Sequence, residues 1–191
     1  MAKQYIEDQL FDKKDFANEQ LEKGEYDHCK FLHCNFNEAN LIDIVFANCE
    51  FVGCDLSMAN ITKTGFREVK FIDSKLMGLR FENCNPFLFS VAFENCILNH
   101  SSFYGIKILA TQFVHSQLIE VDFTECSLAG SVFSQCDLSG AIFDHTNLEK
   151  VDFRTATNFS INPSLNSLKK AKFTMPYVVG LLKSFDIIIE N

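Results

Sequence analysis

Residues 31–61 read FLHCNFNEANLIDIVFANCEFVGCDLSMANI, and every fifth position is apolar: Phe31, Phe36, Leu41, Phe46, Phe51, Leu56 and Ile61. The spacing extends in both directions. Upstream it takes in Phe11, Phe16, Leu21 and Tyr26, and downstream Phe66, Phe71, Leu76 and Phe81. After two extra residues it resumes at Leu88, Phe93, Leu98, Phe103, Ile108, Phe113, Leu118, Phe123, Leu128, Phe133, Leu138, Phe143, Leu148 and Phe153. Twenty-nine apolar residues without an exception are far beyond chance for a chain that is 47% hydrophobic.

With each such residue called i, position i−2 is usually small, as at Cys34, Ala39, Cys54, Ser74, Cys96, Ser116, Cys136 and Ala141. A period of five matches neither the 3.6 of an amphipathic helix nor the 2.0 of an alternating strand. A coil of short straight segments joined by corners fits: i and i−2 point inward, and i−1, i+1 and i+2 point out. If four pentads close one square turn, residues 20 apart, or 22 across the insertion, stack on the same wall. The first wall then reads Phe11, Phe31, Phe51, Phe71, Phe93, Phe113, Phe133 and Phe153, all Phe. The second begins Phe16, Phe36 and continues Leu56, Leu76, Leu98, Leu118, Leu138. The third starts at Leu21 and the fourth at Tyr26. The spacing predicts an all-β solenoid of about seven coils, roughly 35 Å long at strand spacing, with a two-residue bulge near residues 85–87.

The chain has 191 residues, enough for one domain, and a net charge of −8 with an isoelectric point near 5.1. Nucleic-acid binders need surplus Lys and Arg, so direct contact with DNA or RNA is not expected. The start, MAKQYIEDQL, has no apolar signal core, and no run is long enough to cross a membrane, which predicts a cytoplasmic protein. Eight cysteines in that setting read as thiols. His28-Cys29 and His33-Cys34 gather nitrogen and sulfur donors, but all eight cysteines fall at inward positions and all five histidines at i+2, facing out. Cys and His on opposite sides of a wall cannot share an ion, so neither metal nor cofactor is expected. Cys54→Ser is expected to bury a hydroxyl without a partner. The chain carries no phosphate-cradling glycine loop, G-x-S-x-G or H-E-x-x-H motif, and a rod filled with Phe and Leu is expected to lack a reaction pocket, which argues against an enzyme.

Pentads such as Cys54-Asp-Leu-Ser-Met58, Ala39-Asn-Leu-Ile-Asp43 and Cys136-Asp-Leu-Ser-Gly140 resemble the A(D/N)LXX unit of the pentapeptide-repeat family. The resemblance covers roughly residues 9–155 and implies that family's right-handed quadrilateral β-helix. The tail, from Ala171-Lys172-Phe173 to Ile189-Glu190, is similar to the end of the quinolone-resistance (Qnr-like) members, where a short helix and a strand close the coil and build a dimer. Residues 1–155 are accordingly expected to form the β-helix and 156–191 a capping or dimerisation segment. The tail residues support that division. Thr174 and Pro176 suit a helix start, and Met175, Val178, Leu181, Leu182 and Phe185 recur at three and four residues as one apolar stripe. Asp186–Glu190 reads as a short strand. A monomeric cap and a dimer seam both fit.

Formal charge over residues 9–155 sums to −1, −3, −4 and −1 for the first to fourth walls. The acidic second and third walls are expected to carry Glu38, Asp43, Asp55, Glu120, Asp122, Glu125, Asp137 and Asp144, a stripe interrupted by Lys63, Lys75 and Arg67. Such a surface can serve solubility alone. Read with the resemblance, it implies a non-enzymatic DNA mimic that binds DNA gyrase or topoisomerase IV and protects it from quinolones. A scaffold with an unrelated protein partner is the alternative.

Overall fold

The structure, a computed structural model, describes residues 4–185, 187 and 188. The first and fourth walls hold the regular strands. On the fourth, β1 (Gln4–Glu7), β3 (Gly24–Asp27), β5 (Val45–Ala47) and β7 (Gly65–Arg67) form a parallel sheet in that order. On the first, seven strands run parallel: β2 (Leu10–Asp12), β4 (Lys30–Leu32), β6 (Glu50–Val52), β8 (Val69–Ile72), β9 (Val91–Glu94), β10 (Gln112–Val114) and β11 (Val132–Ser134). The second and third walls are stitched by single bridges, such as Asn35↔Asp55, Asp55↔Lys75, Ser102↔Asp122 and Asp122↔Ile142. The result is a four-sided parallel solenoid of about seven coils.

The predicted register holds along the first wall. Phe11, Phe31, Phe51, Phe71, Phe93, Phe113 and Phe133 are paired rung to rung, and their rings stack with centroids 4.7 to 5.5 Å apart. Phe153 continues the stack at 5.2 Å, and Phe173, beyond the run read from the sequence, adds another ring at 5.4 Å. Backbone pairing likewise runs on to Asp152↔Lys172. Each buried Phe contributes about 1.5–3 kcal/mol against the entropy of ordering its coil.

The corners are built from left-handed backbone. Position i+2 has positive φ at nearly every pentad, and most of these residues are not glycine; all five histidines are among them, at φ between 51° and 60° for His28, His33, His100 and His145 and 49° for His115. Asn, Asp and His tolerate this region better than other side chains. That preference explains why the outward histidines all share one place in the repeat.

The inward i−2 residues tie one coil to the coil before. Cys49 Sγ donates to Tyr26 O at 3.3 Å and Cys136 Sγ to Phe113 O at 3.3 Å; Thr64 Oγ1 donates to Leu41 O at 2.7 Å and Thr146 Oγ1 to Phe123 O at 2.8 Å. All eight cysteines are buried free thiols. Burial pushes those of Cys49 and Cys136 up to about 12 and that of Cys96 up to about 11, keeping them protonated donors.

Three expectations are corrected. Leu88 does not point inward: it lies at a left-handed corner, 65% exposed, while Phe89 turns in against Phe66 and Phe81. Asn85 Oδ1 accepts the Phe87 N–H at 3.0 Å across Pro86, and this turn absorbs the extra residues one position later than the spacing suggests. The tail forms 3₁₀ turns, Tyr177–Leu181 and Lys183–Phe185, rather than an α-helix. Thr174 does not cap it, since its hydroxyl donates to Arg154 O. With three residues per turn the apolar stripe splits: Leu181 packs on the core and Val178 is half-buried, whereas Met175, Leu182 and Phe185 are exposed. Of the strand expected over 186–190, residues 186, 189 and 190 lie outside the described residues, and Ile187 and Ile188 are in no strand.

The third correction yields a prediction. Ser74, one coil above Cys54, donates to Phe51 O and Ile72 O at 3.2 and 2.8 Å, and Cys54 Sγ faces the equivalent carbonyls of Phe31 and Val52. A serine hydroxyl at position 54 therefore has acceptors waiting. Cys54→Ser should stay within about 0.5 kcal/mol of wild type in a urea melt, whereas Cys54→Ala, which removes the donor and leaves space, should cost about 1 kcal/mol or more. Equal losses for the two variants would refute the shared role of thiol and hydroxyl.

Candidate functional site

The eight carboxylates of the second and third walls fall into two structural kinds. Asp55, Asp122 and Asp137 occupy i−1, are half-buried, and accept the N–H of the residue two ahead: Ser57 at 3.0 Å, Thr124 at 2.8 Å and Ser139 at 3.0 Å. Asn35, Asn40, Asn60 and Asn147 make the same turn. Aspartate or asparagine before the central leucine of the repeat thus closes the corner, as such side chains do in Asx turns. Glu38, Asp43, Glu120 and Glu125 occupy i+2 and project from left-handed corners. Asp144 lies at i+1, half-exposed, with Oδ1 2.9 Å from His145 Nδ1.

Some of the projecting carboxylates have close partners. Lys23 Nζ lies 3.5 Å from Asp43, and His100 Nδ1 lies 3.1 Å from Glu120. Glu125, by its charge and a hydrogen bond, raises the Tyr104 hydroxyl above its ordinary pKa. Along the walls, Asp55 is next to Asn35 and Lys75, Asp122 next to Ser102 and Ile142, and Asp137 next to Gln117 and Thr157. No two of these carboxylates face each other across a rung, which avoids direct like-charge pairs. The structure groups Glu120, Asp122, Glu125, Asp137 and Asp144 on the downstream coils; Glu38, Asp43 and Asp55 lie upstream, beyond Lys63 and Lys75.

The expectation that a rod filled with Phe and Leu has no pocket is also corrected. A hollow of about 430 Å³ opens beside the bulge, lined by Phe81, Glu82, Cys84, Phe89, Ile106 and Lys107. Its one thiol, Cys84, is pushed far above the ordinary thiol range by burial and the nearby Glu82 charge, the reverse of what a nucleophile needs. The proline-and-aromatic step at Pro86-Phe87 was the available sequence signal for it. Further along the chain, the tail packs against the last coil. Gly180 lies against Phe159, so near that a Cβ would sit 2.5 Å from the ring, and its carbonyl accepts the Ile161 N–H at 3.1 Å. Among the described residues no helix is long and apolar enough to cross a membrane.

A family model described as pentapeptide repeat region matches residues 19–85, 46–117 and 74–154. A trypsin-treated variant of QnrB1, a plasmid-mediated fluoroquinolone resistance protein, is similar in structure at 16% identity and a TM-score of 0.52, over 98% of this chain and 100% of that one. Full-length QnrB1 gives 15%, 0.49, 96% and 100%, and HetL, a pentapeptide-repeat protein involved in heterocyst differentiation regulation in the cyanobacterium Nostoc, gives 15%, 0.32, 90% and 90%. No curated protein sequence matches the chain significantly. At such identities the likeness to QnrB1 speaks for the fold alone.

The turn-forming carboxylates predict an acid sensitivity. Burial alone would raise Asp137, but hydrogen bonds from Ser139 and Asn158 hold it below its ordinary range. The Arg154 guanidinium, donating to both oxygens of Asp152 at 2.7 to 3.1 Å, does the same there. Folded pKa values below the unfolded value give stability that is full above about pH 4 and lost as pH falls through the folded pKa. Melting temperature should drop as pH is lowered from about 4 toward 2, and the D137N/D152N double variant should drop less steeply. Parallel slopes would show that these turns carry no proton linkage.

Proposed function

The chain belongs to the pentapeptide-repeat family, and we propose that it is a cytoplasmic, non-enzymatic protein whose acidic second and third walls occupy the basic DNA-binding groove of a type II topoisomerase, DNA gyrase or topoisomerase IV. The observation that carries this reading is the projection of Glu38, Asp43, Glu120 and Glu125 from corners of those two walls. As a mimic, the rod is a weaker polyanion than DNA. The two walls sum to −3 and −4 over a length of roughly 35 Å, about one net charge per 5 Å, against one per about 1.7 Å of duplex. Mimicry at that density competes with DNA only where shape and carboxylate positions also fit, and its attraction is screened by salt. Since QnrB1 is a fluoroquinolone resistance protein of the same fold, protection of the topoisomerase from quinolones belongs to the same proposal.

A second reading, a scaffold for an unrelated protein, is favoured by one feature. Phe87 and Leu88 at the bulge are 61% and 65% exposed, an apolar projection that DNA mimicry does not use.

The readings separate in a competition among purified gyrase, linear DNA and increasing amounts of this protein, with supercoiling and quinolone-stabilised cleavage both recorded. The E120Q/D122N/E125Q/D144N variant should bind much more weakly, with its melting temperature close to wild type, because an asparagine in place of Asp122 retains the turn-closing oxygen. Charge reversals on the first wall should matter far less. Wild-type protein that changes neither readout and does not displace DNA at high micromolar concentration would eliminate the topoisomerase reading.

The exposed Met175, Leu182 and Phe185, beside a tail already seated on Phe159, support a homodimer seam at the capped end. Light scattering should find a dimer for wild type and a monomer of similar melting temperature for L182E/F185E. A wild-type monomer at tens of micromolar would remove the seam.

A further inference from the structure

Glu7, ending β1, and Asp27, ending β3, are direct partners in register at the first corner of the rod, and His28 follows at that corner with φ 51°. One ligand atom from each lies within 4.8 Å of the other two. Asp27 is held from two sides: Tyr5 Oη donates to its Oδ2 at 2.8 Å and Asn48 Nδ2 to its Oδ1 at 2.9 Å, while His28 Nδ1 lies 3.1 Å from that Oδ1.

This corner differs from the acidic walls in its charge pairing. Glu7 and Asp27 are the single like-charged pair among the register partners of the described residues, a juxtaposition that destabilises neighbouring strands. Elsewhere a carboxylate facing a charged rung meets a cation, as in Lys30 with Glu50 at 2.9 Å, Asp55 opposite Lys75, and Asp152 opposite Lys172. Among the described residues no Lys or Arg lies within 4.0 Å of Glu7 or Asp27, and the arginine on that sheet, Arg67, is paired with Glu25 at 3.1 Å. The donor set is informative too. One imidazole nitrogen and two carboxylate oxygens suit a borderline divalent ion such as zinc better than calcium or magnesium, which favour all-oxygen shells.

We propose that Glu7, Asp27 and His28 bind a divalent transition-metal ion, zinc being the best chemical match, which fastens the first coil to the second. The ion supplies the positive charge that the register pair lacks. Three protein ligands leave the remaining coordination to water, and Tyr5 and Asn48 orient the Asp27 carboxylate as outer-shell partners do in metal sites. The Cys and His donors that stand out in the sequence over residues 28–34 face opposite ways. The coil brings His28 instead to a carboxylate from the rung below, a juxtaposition visible only once residues 7 and 27 are known to stack. Two other pairs, His100 with Glu120 and His145 with Asp144, are 3.1 and 2.9 Å apart but belong to no such three-residue cluster, so they serve as internal controls.

The test uses the full chain freed of metal by a chelator and titrated with zinc chloride in a calorimeter, with imidazole NMR signals followed in parallel. One equivalent should bind saturably, shift His28 ahead of His100 and His145, and raise the melting temperature by a few degrees at saturating zinc. E7Q and H28N should each weaken binding about tenfold or more, Asn being tolerated at a left-handed corner, while H100N and H145N should leave it unchanged. E7Q should also melt no lower than wild type without metal, since it relieves the like-charge pair, so lost binding cannot be ascribed to misfolding. No saturable binding below about 1 mM zinc, equal shifts of all the histidines, or one-equivalent binding that persists in the E7Q/H28N double variant would each overturn the site.

Discussion

Everything in this rod depends on rings of one shape recurring at one β-spacing. A parallel stack in register sets identical side chains about 4.8 Å apart, which falls within the centroid range of offset-stacked rings, so the first wall can be Phe from Phe11 to Phe173. No described coil stacks four rings, and apart from the short Phe16–Phe36 column of the second wall one further aromatic column accompanies the first wall. Upstream it runs on the fourth wall, through Tyr26, Phe46 and Phe66; downstream it runs on the third, through Phe81, Phe103, Phe123 and Phe143, stacked at 4.4, 5.3 and 5.2 Å. The columns change sides where Phe66, Phe81 and Phe89 meet edge to face or tilted. The bulge stands at this exchange, and the two extra residues give Phe89 the reach to fill the gap that the swap leaves.

Side-chain direction was legible in the sequence because direction is what a period encodes. Five-residue spacing identified the walls, the inward cysteines and the outward histidines, and a difference of 20 gave the stacking partners. Backbone conformation and hydrogen bonding were not encoded in that way. Nothing in an apolar period states that i+2 is left-handed, although the concentration of His, Asn, Asp and Gly there was a usable sign. Nor does it state that a buried thiol such as Cys49 donates to a carbonyl of the preceding coil. The period misplaces Leu88 for a related reason: at an insertion it offers two apolar neighbours, and the volume between Phe66 and Phe81 decides for Phe89. The tail stripe failed because 3₁₀ geometry repeats every three residues, so Val178 and Leu181 separate from Leu182 and Phe185.

The same division governs what the acidic surface can mean. At i−1 an Asp closes its own corner, as Asp122 does for Thr124, and an Asn does so equally well at Asn60 and Asn147. Charge at that position is therefore explained by the turn, and a face cannot be judged a binding surface by counting it. At i+2 the backbone gives no reason for glutamate: a left-handed Glu costs about 1 kcal/mol more than Gly, and it has no short side chain to bond locally. Lys63 and Lys150 occupy the same kind of corner, so the position selects neither sign. Glu38, Glu120 and Glu125 are thus acidic, on the second and third walls, for no reason that the corner itself supplies. Whatever partner the rod meets, those corners are where its acidity exceeds what folding requires.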